Sequence, residues 1–241
     1  LSVKEGGIAA VKAILEINNR VGLSIAYVMA RYSVTALKKL LENLLARPDI
    51  SIKDILEISD IDKVSVFHII AQFSGATLKD LLLHKNVSIK DIKEILEIPH
   101  WKGYSVAHLM AQNAGSEFKA LLHRMPIGTI KEILEIQDGE GSYVANGMTR
   151  KSVAHWMAQH SGEKLKDLLL NLVDKKVSIK DIQEILEITD REGYSVAHWM
   201  AQFSGEAFKE LLESLLAKSD VSIADIKEIL EIQDGEDKST A

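Results

Sequence analysis

An all-α fold, an α-solenoid of stacked helical repeats, is what this 241-residue chain predicts, and three recurrences predict it. The tetrapeptide ILEI starts at Ile14, Ile55, Ile95, Ile133, Ile185 and Ile229, at spacings of 41, 40, 38, 52 and 44 residues. Between these copies a second block starts at Ser24, Ser65, Ser105, Ser152 and Ser195, reading SIAYVMA, SVFHIIAQ, SVAHLMAQ and, twice, SVAHWMAQ. A leucine-rich third block follows each second block, as in ATLKDLLL and EAFKELLESLL. A catalytic constellation needs its residues once. A stretch such as GYSVAHWMAQFSGEAFKELL, at 193–212, that is closely rewritten at 103–122 is a structural unit.

The units fall at 7–46, 51–85, 88–124, 126–173 and 177–218, with a last helix at 221–233, and together they predict one repeat domain. Each block reads as a helix. In the stretch 87–98, Ile89, Ile92, Ile95, Leu96 and Ile98 lie within an arc of about 180° at helical spacing, with Lys90, Lys93, Glu94 and Glu97 opposite. A stripe that wide can touch two neighbours. Its start is marked by Ser88 as N-cap, Asp91 at the third helical position, and Val87 and Ile92 placed as a hydrophobic staple. The same device recurs at Ile50, Ser51, Asp54 and Ile55, at Val177, Ser178, Asp181 and Ile182, and at Val221, Ser222, Asp225 and Ile226. The second block is shorter than the roughly 12 residues an isolated helix needs in water, so its neighbours must pack it. The segment 137–151 lengthens one unit and is expected to protrude as a loop.

The second and third blocks resemble the ankyrin repeat. Gly193, Ser195, His198, Ala201, Gly205, Leu211 and Leu212 match its helix-pair pattern, and Gly103, Ser105, His108, Ala111, Gly115, Leu121 and Leu122 match it again. Val196 and Val106 replace the family's proline, and the later glycine comes one residue late. In the first copy Tyr27 replaces the histidine, and Val21 precedes the glycine. The linking SIKDIKEILEI helix is expected to replace the hairpin that joins ordinary ankyrin units. An armadillo-like or HEAT-like stack, with two or three helices in about 40 residues, is the alternative. The resemblance implies a protein-binding scaffold that presents a curved repeat surface and has no chemistry of its own. The second function reading is a regulatory or spacing segment of a larger enzyme or of a bacterial effector or toxin.

Composition narrows the partners. With 35 acidic against 29 basic residues and a formal charge of −6, no basic field exists to hold nucleic acid. No apolar run approaches the roughly 18 residues of a membrane span, so membrane insertion is not expected. The chain starts at Leu1 without a basic-then-apolar leader and reads as an excised fragment. Without cysteine there is no disulfide framework, which favours an intracellular, cytoplasmic setting, delivery into a host cell included.

Residues that could carry chemistry read instead as structure. His68, His108, His155 and His198 sit one per unit, displaced by about 10 Å in a stack, too far apart to share a metal. In ankyrin-like units this histidine bonds to backbone. His155 and His160 are five apart, not the four that would align them on a helix face. Ser105, Ser152 and Ser195 precede a histidine by three and read as N-caps. The pairs Lys90 with Glu94 and Lys93 with Glu97 form a solvated helix face. No catalytic residue, cofactor or metal is expected.

Aromatic residues are 5% of the chain, and either pack between units or anchor a protein partner. Position 73 is Phe, 113 is Asn, 160 is His and 203 is Phe, whereas the preceding Ala-Gln recurs. A position that varies among copies is freed from packing. Partner recognition is therefore expected at Phe73, His160 and Phe203, joined from the turns by Trp101, Tyr104, Arg191 and Tyr194.

Overall fold

The computed structural model describes residues 7–56, 58–59, 64–139 and 150–232, and in it the fold is all-α. The helices gather in two compact groups. The first holds α1 (Gly7–Leu15), α2 (Ile25–Tyr32), α3 (Val34–Leu45), α4 (Ile52–Leu56), α5 (Val66–Phe73), α6 (Gly75–Leu82), α7 (Ile89–Leu96) and α8 (Val106–Asn113). The second holds α9 (Gly115–Leu122), α10 (Ile127–Leu134), α11 (Val153–Asp174), α12 (Ile179–Leu186), α13 (Val196–Phe203), α14 (Gly205–Leu216) and α15 (Ile223–Leu230). Within α11 the backbone turns at Ser161, at φ −149° and ψ 44°, close to the values at Ser204 between α13 and α14, so α11 is a helix pair in its own right.

In the first group α5 lies between α2 and α8, and α3 packs on α6. In the second, α11 packs against α9, α13 and α14, and the linking helices α12 and α15 stand side by side. This is repeat stacking: each pair covers its neighbour's apolar face, with Leu37, Phe67, Ile70, Leu78 and Met110 buried in one group and Phe118, Leu165, Met200 and Leu211 in the other. Ion pairs cross the same seams, Lys38 to Asp80 at 2.5 Å and Lys119 to Asp167 at 2.8 Å.

The linking helices start where their caps were expected. The Asp91 N–H donates to Ser88 Oγ at 3.2 Å while the Ser88 N–H donates to the Asp91 carboxylate at 3.0 Å. Ser222 and Asp225 make the same reciprocal pair, and Ser178 Oγ accepts from the Asp181 N–H at 3.2 Å. Replacing Ser88, Ser178 or Ser222 by Ala is expected to cost about 1 kcal/mol each. Unchanged thermal midpoints in all three variants would show that these caps contribute nothing.

The hairpin is retained, contrary to the expectation that the linking helix replaces it. After α1, α4, α7, α10 and α12 the chain closes an isolated antiparallel bridge, Asn18 with Ser24, Ser59 with Ser65, Pro99 with Ser105, Gln137 with Ser152, and Thr189 with Ser195. In three of these the tip is set by a polar side chain that accepts backbone N–H groups and by a glycine three residues on. Asn19 Oδ1 accepts from Val21 and Leu23, His100 Nδ1 from Lys102, and Asp190 Oδ1 from Glu192 and Tyr194. Gly22, Gly103 and Gly193 take φ of 83°, 93° and 87°, which an L side chain resists. The linking helix is thus an addition to the ankyrin unit. The 137–151 loop departs from one such tip, where the Asp138 N–H donates to the Lys151 carbonyl and the Lys151 N–H to Asp138 Oδ1, both at 2.9 Å. Residues 140–149 of that expected loop, and position 233 of the last helix, lie outside the described residues.

Candidate recognition surface

Of the four histidines that invite a chemical reading, His68 and His155 are buried ties. His68 Nδ1 accepts from the Ser65 hydroxyl at 2.8 Å, and its Nε2–H donates to the Ile98 carbonyl at 3.0 Å, thirty residues away. His155 repeats this with the Ser152 N–H at 3.1 Å and the Tyr194 carbonyl at 3.0 Å. Each ring therefore joins its own helix start to the next hairpin. Burial holds His68 down at about 3, with His100 beside it acting in the same direction, and burial also lowers His155. Both imidazoles are neutral in the fold. Among the described residues no group of three or more His, Asp or Glu is arranged to hold a metal ion, and no helix is long and apolar enough to cross a membrane.

In the first group, two aromatic clusters carry the expected partner-binding residues. Tyr104 stacks on His100 at 4.3 Å, and Trp101, 43% exposed, stands 5.4 Å from the same imidazole with the Lys102 ammonium 5.0 Å over its ring. Tyr104 is half-buried, and burial raises its phenol. Trp101 is thus the open side chain of this hairpin. Phe73, 36% exposed, meets the edge of Tyr27 at 5.5 Å. Arg31 lies 5.7 Å over Phe73 and 5.2 Å over Tyr32, itself 71% exposed.

In the second group, two tryptophans connect hairpin to helix end. The Trp199 indole N–H donates to Asp190 Oδ2 at 3.0 Å, the carboxylate whose other oxygen holds the hairpin tip. The ring of Trp199 stacks on Phe203 at 4.8 Å, and the Lys151 ammonium lies 4.0 Å over it. Phe203 is 44% exposed, Arg191 is exposed at the tip and Tyr194 is half-buried. Trp156 repeats the arrangement, donating to Asp138 Oδ2 at 2.9 Å and standing 5.7 Å from exposed His160. Burial lowers His160 and Lys151 and raises Asp138, although the Trp156 bond pulls Asp138 the other way.

Within each group the expected aromatic residues therefore belong to a set of separate ring clusters at the hairpins and adjoining helix ends. Tyr27, Arg31, Tyr32, Lys151, Trp156 and Trp199 belong to it and were not expected. One sequence signal could have found the tryptophans: each stands four residues before a varying position, His160 or Phe203, and so one helical turn below it.

Helix pairs opened by a Ser–His cap, tied by that histidine to a following hairpin and stacked in register define an ankyrin-like helical-repeat fold, here with a linking helix in each unit. One solved structure supports this fold, and two align more loosely. The ankyrin repeat domain of Bcl-3, a unique member of the IkappaB protein family, aligns at a TM-score of 0.54 and 15% identity over 98% of this chain and 88% of that one. The Bd0816 predatory endopeptidase from Bdellovibrio bacteriovorus in complex with immunity protein Bd3460 aligns at 0.47 and 11%, over 93% and 90% of the two chains. An ankyrin repeat protein from Leishmania major aligns at 0.45 and 13%, over 89% and 74%. No family model and no curated protein sequence matches the chain.

Proposed function

We propose that the chain is a protein-interaction scaffold and that its hairpin and helix-end aromatics hold the partner. The observation that carries this reading is the exposure of large aromatic rings on rigid supports, Trp101 on the His100–Tyr104 stack and Phe203 on Trp199. A ring already held in place loses little conformational freedom on binding, which is how a few aromatic anchors dominate an interface. Phe73, His160, Arg191, Tyr104 and Tyr194 complete the surface, the last two chiefly by supporting it. The ankyrin-like fold supports the same reading, since stacked repeats build extended binding faces. The charged side of the linking helices, with Lys93 paired to Glu97 at 3.6 Å, is the solvated side.

With the chain as bait, Trp101→Ala and Phe203→Ala are each expected to weaken a captured protein partner by at least about 1 kcal/mol, leaving helicity by circular dichroism unchanged. Loss of binding on reversing Lys90 and Lys93 to Glu, with no effect of the aromatic changes, would place recognition on the opposite side.

A further inference from the structure

In the second group the helix pair formed by the two halves of α11 is covered by α13–α14 through a repeated set of contacts. Ser204 sits over Gly162, where an added Cβ would lie 2.0 Å from its Oγ and 2.3 Å from its Cβ. The Ser204 hydroxyl donates to the Ala158 carbonyl at 2.7 Å. Lys166, only 9% exposed, holds Glu163 of its own helix at 2.6 Å and Glu210 of the covering pair. One pair earlier Ser161 sits over Gly115 at 2.5 Å, and Lys119 binds Asp167. A covering pair is therefore recognised by a serine at its junction and a carboxylate six residues on.

The receiving surface recurs, uncovered, on α13–α14. Ala201, Gly205, Lys209 and Leu212 hold the positions of Ala158, Gly162, Lys166 and Leu169. All four are buried in the earlier pair, whereas here Ala201 and Leu212 are half-buried and Gly205 and Lys209 are exposed. A Cβ at Gly205 would meet nothing within 4 Å. Lys209 has the partner of its own helix, Glu206 at 3.1 Å, and among the described residues no crossing carboxylate. Leu216 and Ile223 add exposed apolar surface at the rim. Since α15 already packs on α12 and α14 as a linking helix does, what is uncovered is the place of a helix pair alone.

We propose that this face of α13–α14 docks a helical hairpin of a second polypeptide, with a serine at its turn over Gly205 and a carboxylate six residues on for Lys209. A second copy of this chain fits poorly, because its first pair offers Ser33 but then Lys39, which would meet Lys209, and brings its own linking helix α1 to the place α15 fills. Its lining residues Ala201, Gly205, Lys209 and Leu212 are none of those assigned to the aromatic surface.

The probe is a fluorescein-labelled peptide of residues 195–218, which carries Ser204 and Glu210, titrated against the full chain by anisotropy. Saturable binding is expected, weakened at least about tenfold by Gly205→Leu in the chain, or about 1.4 kcal/mol. Lys209→Glu should weaken it too and should restore affinity for a peptide carrying Glu210→Lys. Both chain positions are exposed, so circular dichroism should stay unchanged, and Trp101→Ala should not alter the titration. Absence of saturable binding, or binding indifferent to both chain substitutions, overturns the proposal. So does concentration-dependent dimerisation of the chain alone that Gly205→Leu abolishes, which would assign the face to a second copy.

Discussion

Gly162→Ala is expected to lower the stability of the folded chain by about 1–3 kcal/mol, the cost of forcing an extra methyl into a packed seam. The new Cβ would meet Ser204 Oγ at 2.0 Å and Ser204 Cβ at 2.3 Å; the Cβ is fixed by the backbone, and the Oγ can rotate away only by giving up its bond to the Ala158 carbonyl. Relief would require α14 to lift from α11, which also strains the Ser204 bond to Ala158 and the Lys166 pair with Glu210. Gly205→Ala puts the same methyl where nothing stands within 4 Å, and should change stability by no more than about 0.5 kcal/mol. Denaturant midpoints of the two variants give the comparison. Adding Ser204→Gly to Gly162→Ala should recover part of the loss, because it removes the atoms in collision. Equal midpoints for Gly162→Ala and Gly205→Ala would mean that the seam has slack.

Acid should destabilise the protein well above the range where carboxylates titrate. An unfolded histidine gains its proton near the ordinary value of 6.5, whereas His68 in the fold resists protonation down to about 3, chiefly because burial penalises its charged form. Between those values the unfolded chain binds more protons than the folded one, so stability is full above pH 6.5 and falls as the pH drops toward 3. The slope per histidine is at most about 1.4 kcal/mol per pH unit. His155, lowered by burial, acts with the same sign from the same upper limit. The lowered carboxylates, Asp167 through Lys119 and Asp181 through Ser178, add their losses only below 3.8. Thermal midpoints of the wild type should therefore fall steadily from pH 6.5 to 4.5, and those of a His68→Asn variant should start lower and fall less. A flat wild-type profile over that interval would contradict neutral, buried imidazoles.

Much of the fold is legible because it is periodic over short distances. Ile92, Ile95 and Leu96 announce a buried helix face, and Ser88 with Asp91 announces its start, from residues within one or two turns of each other. The one-per-unit spacing of the histidines argues against a shared metal, and the resemblance to ankyrin units implies the backbone ties that His68 and His155 make. The hairpin was misread because its fixing residues change chemistry from copy to copy: Asn19, His100 and Asp190 do the same work with an amide, an imidazole and a carboxylate. The candidate surface was legible at the positions that vary, such as Phe203, but not at the supports, such as Trp199, whose indole partner Asp190 lies nine residues away across the hairpin.

The sequence by itself determined the repeat, the helix type of each block and the caps, because each depends on local spacing and on the need to pair the backbone groups at a helix start. Tertiary structure alone decided which of two chemically equal residues is covered. Gly162 and Gly205 stand in the same local pattern, as do Lys166 and Lys209, yet one of each is buried and the other open. What separates them is the presence of Ser204 and Glu210 more than forty residues downstream of the buried pair. No window of local sequence holds that information, since burial is a property of the neighbour that arrives through the stack.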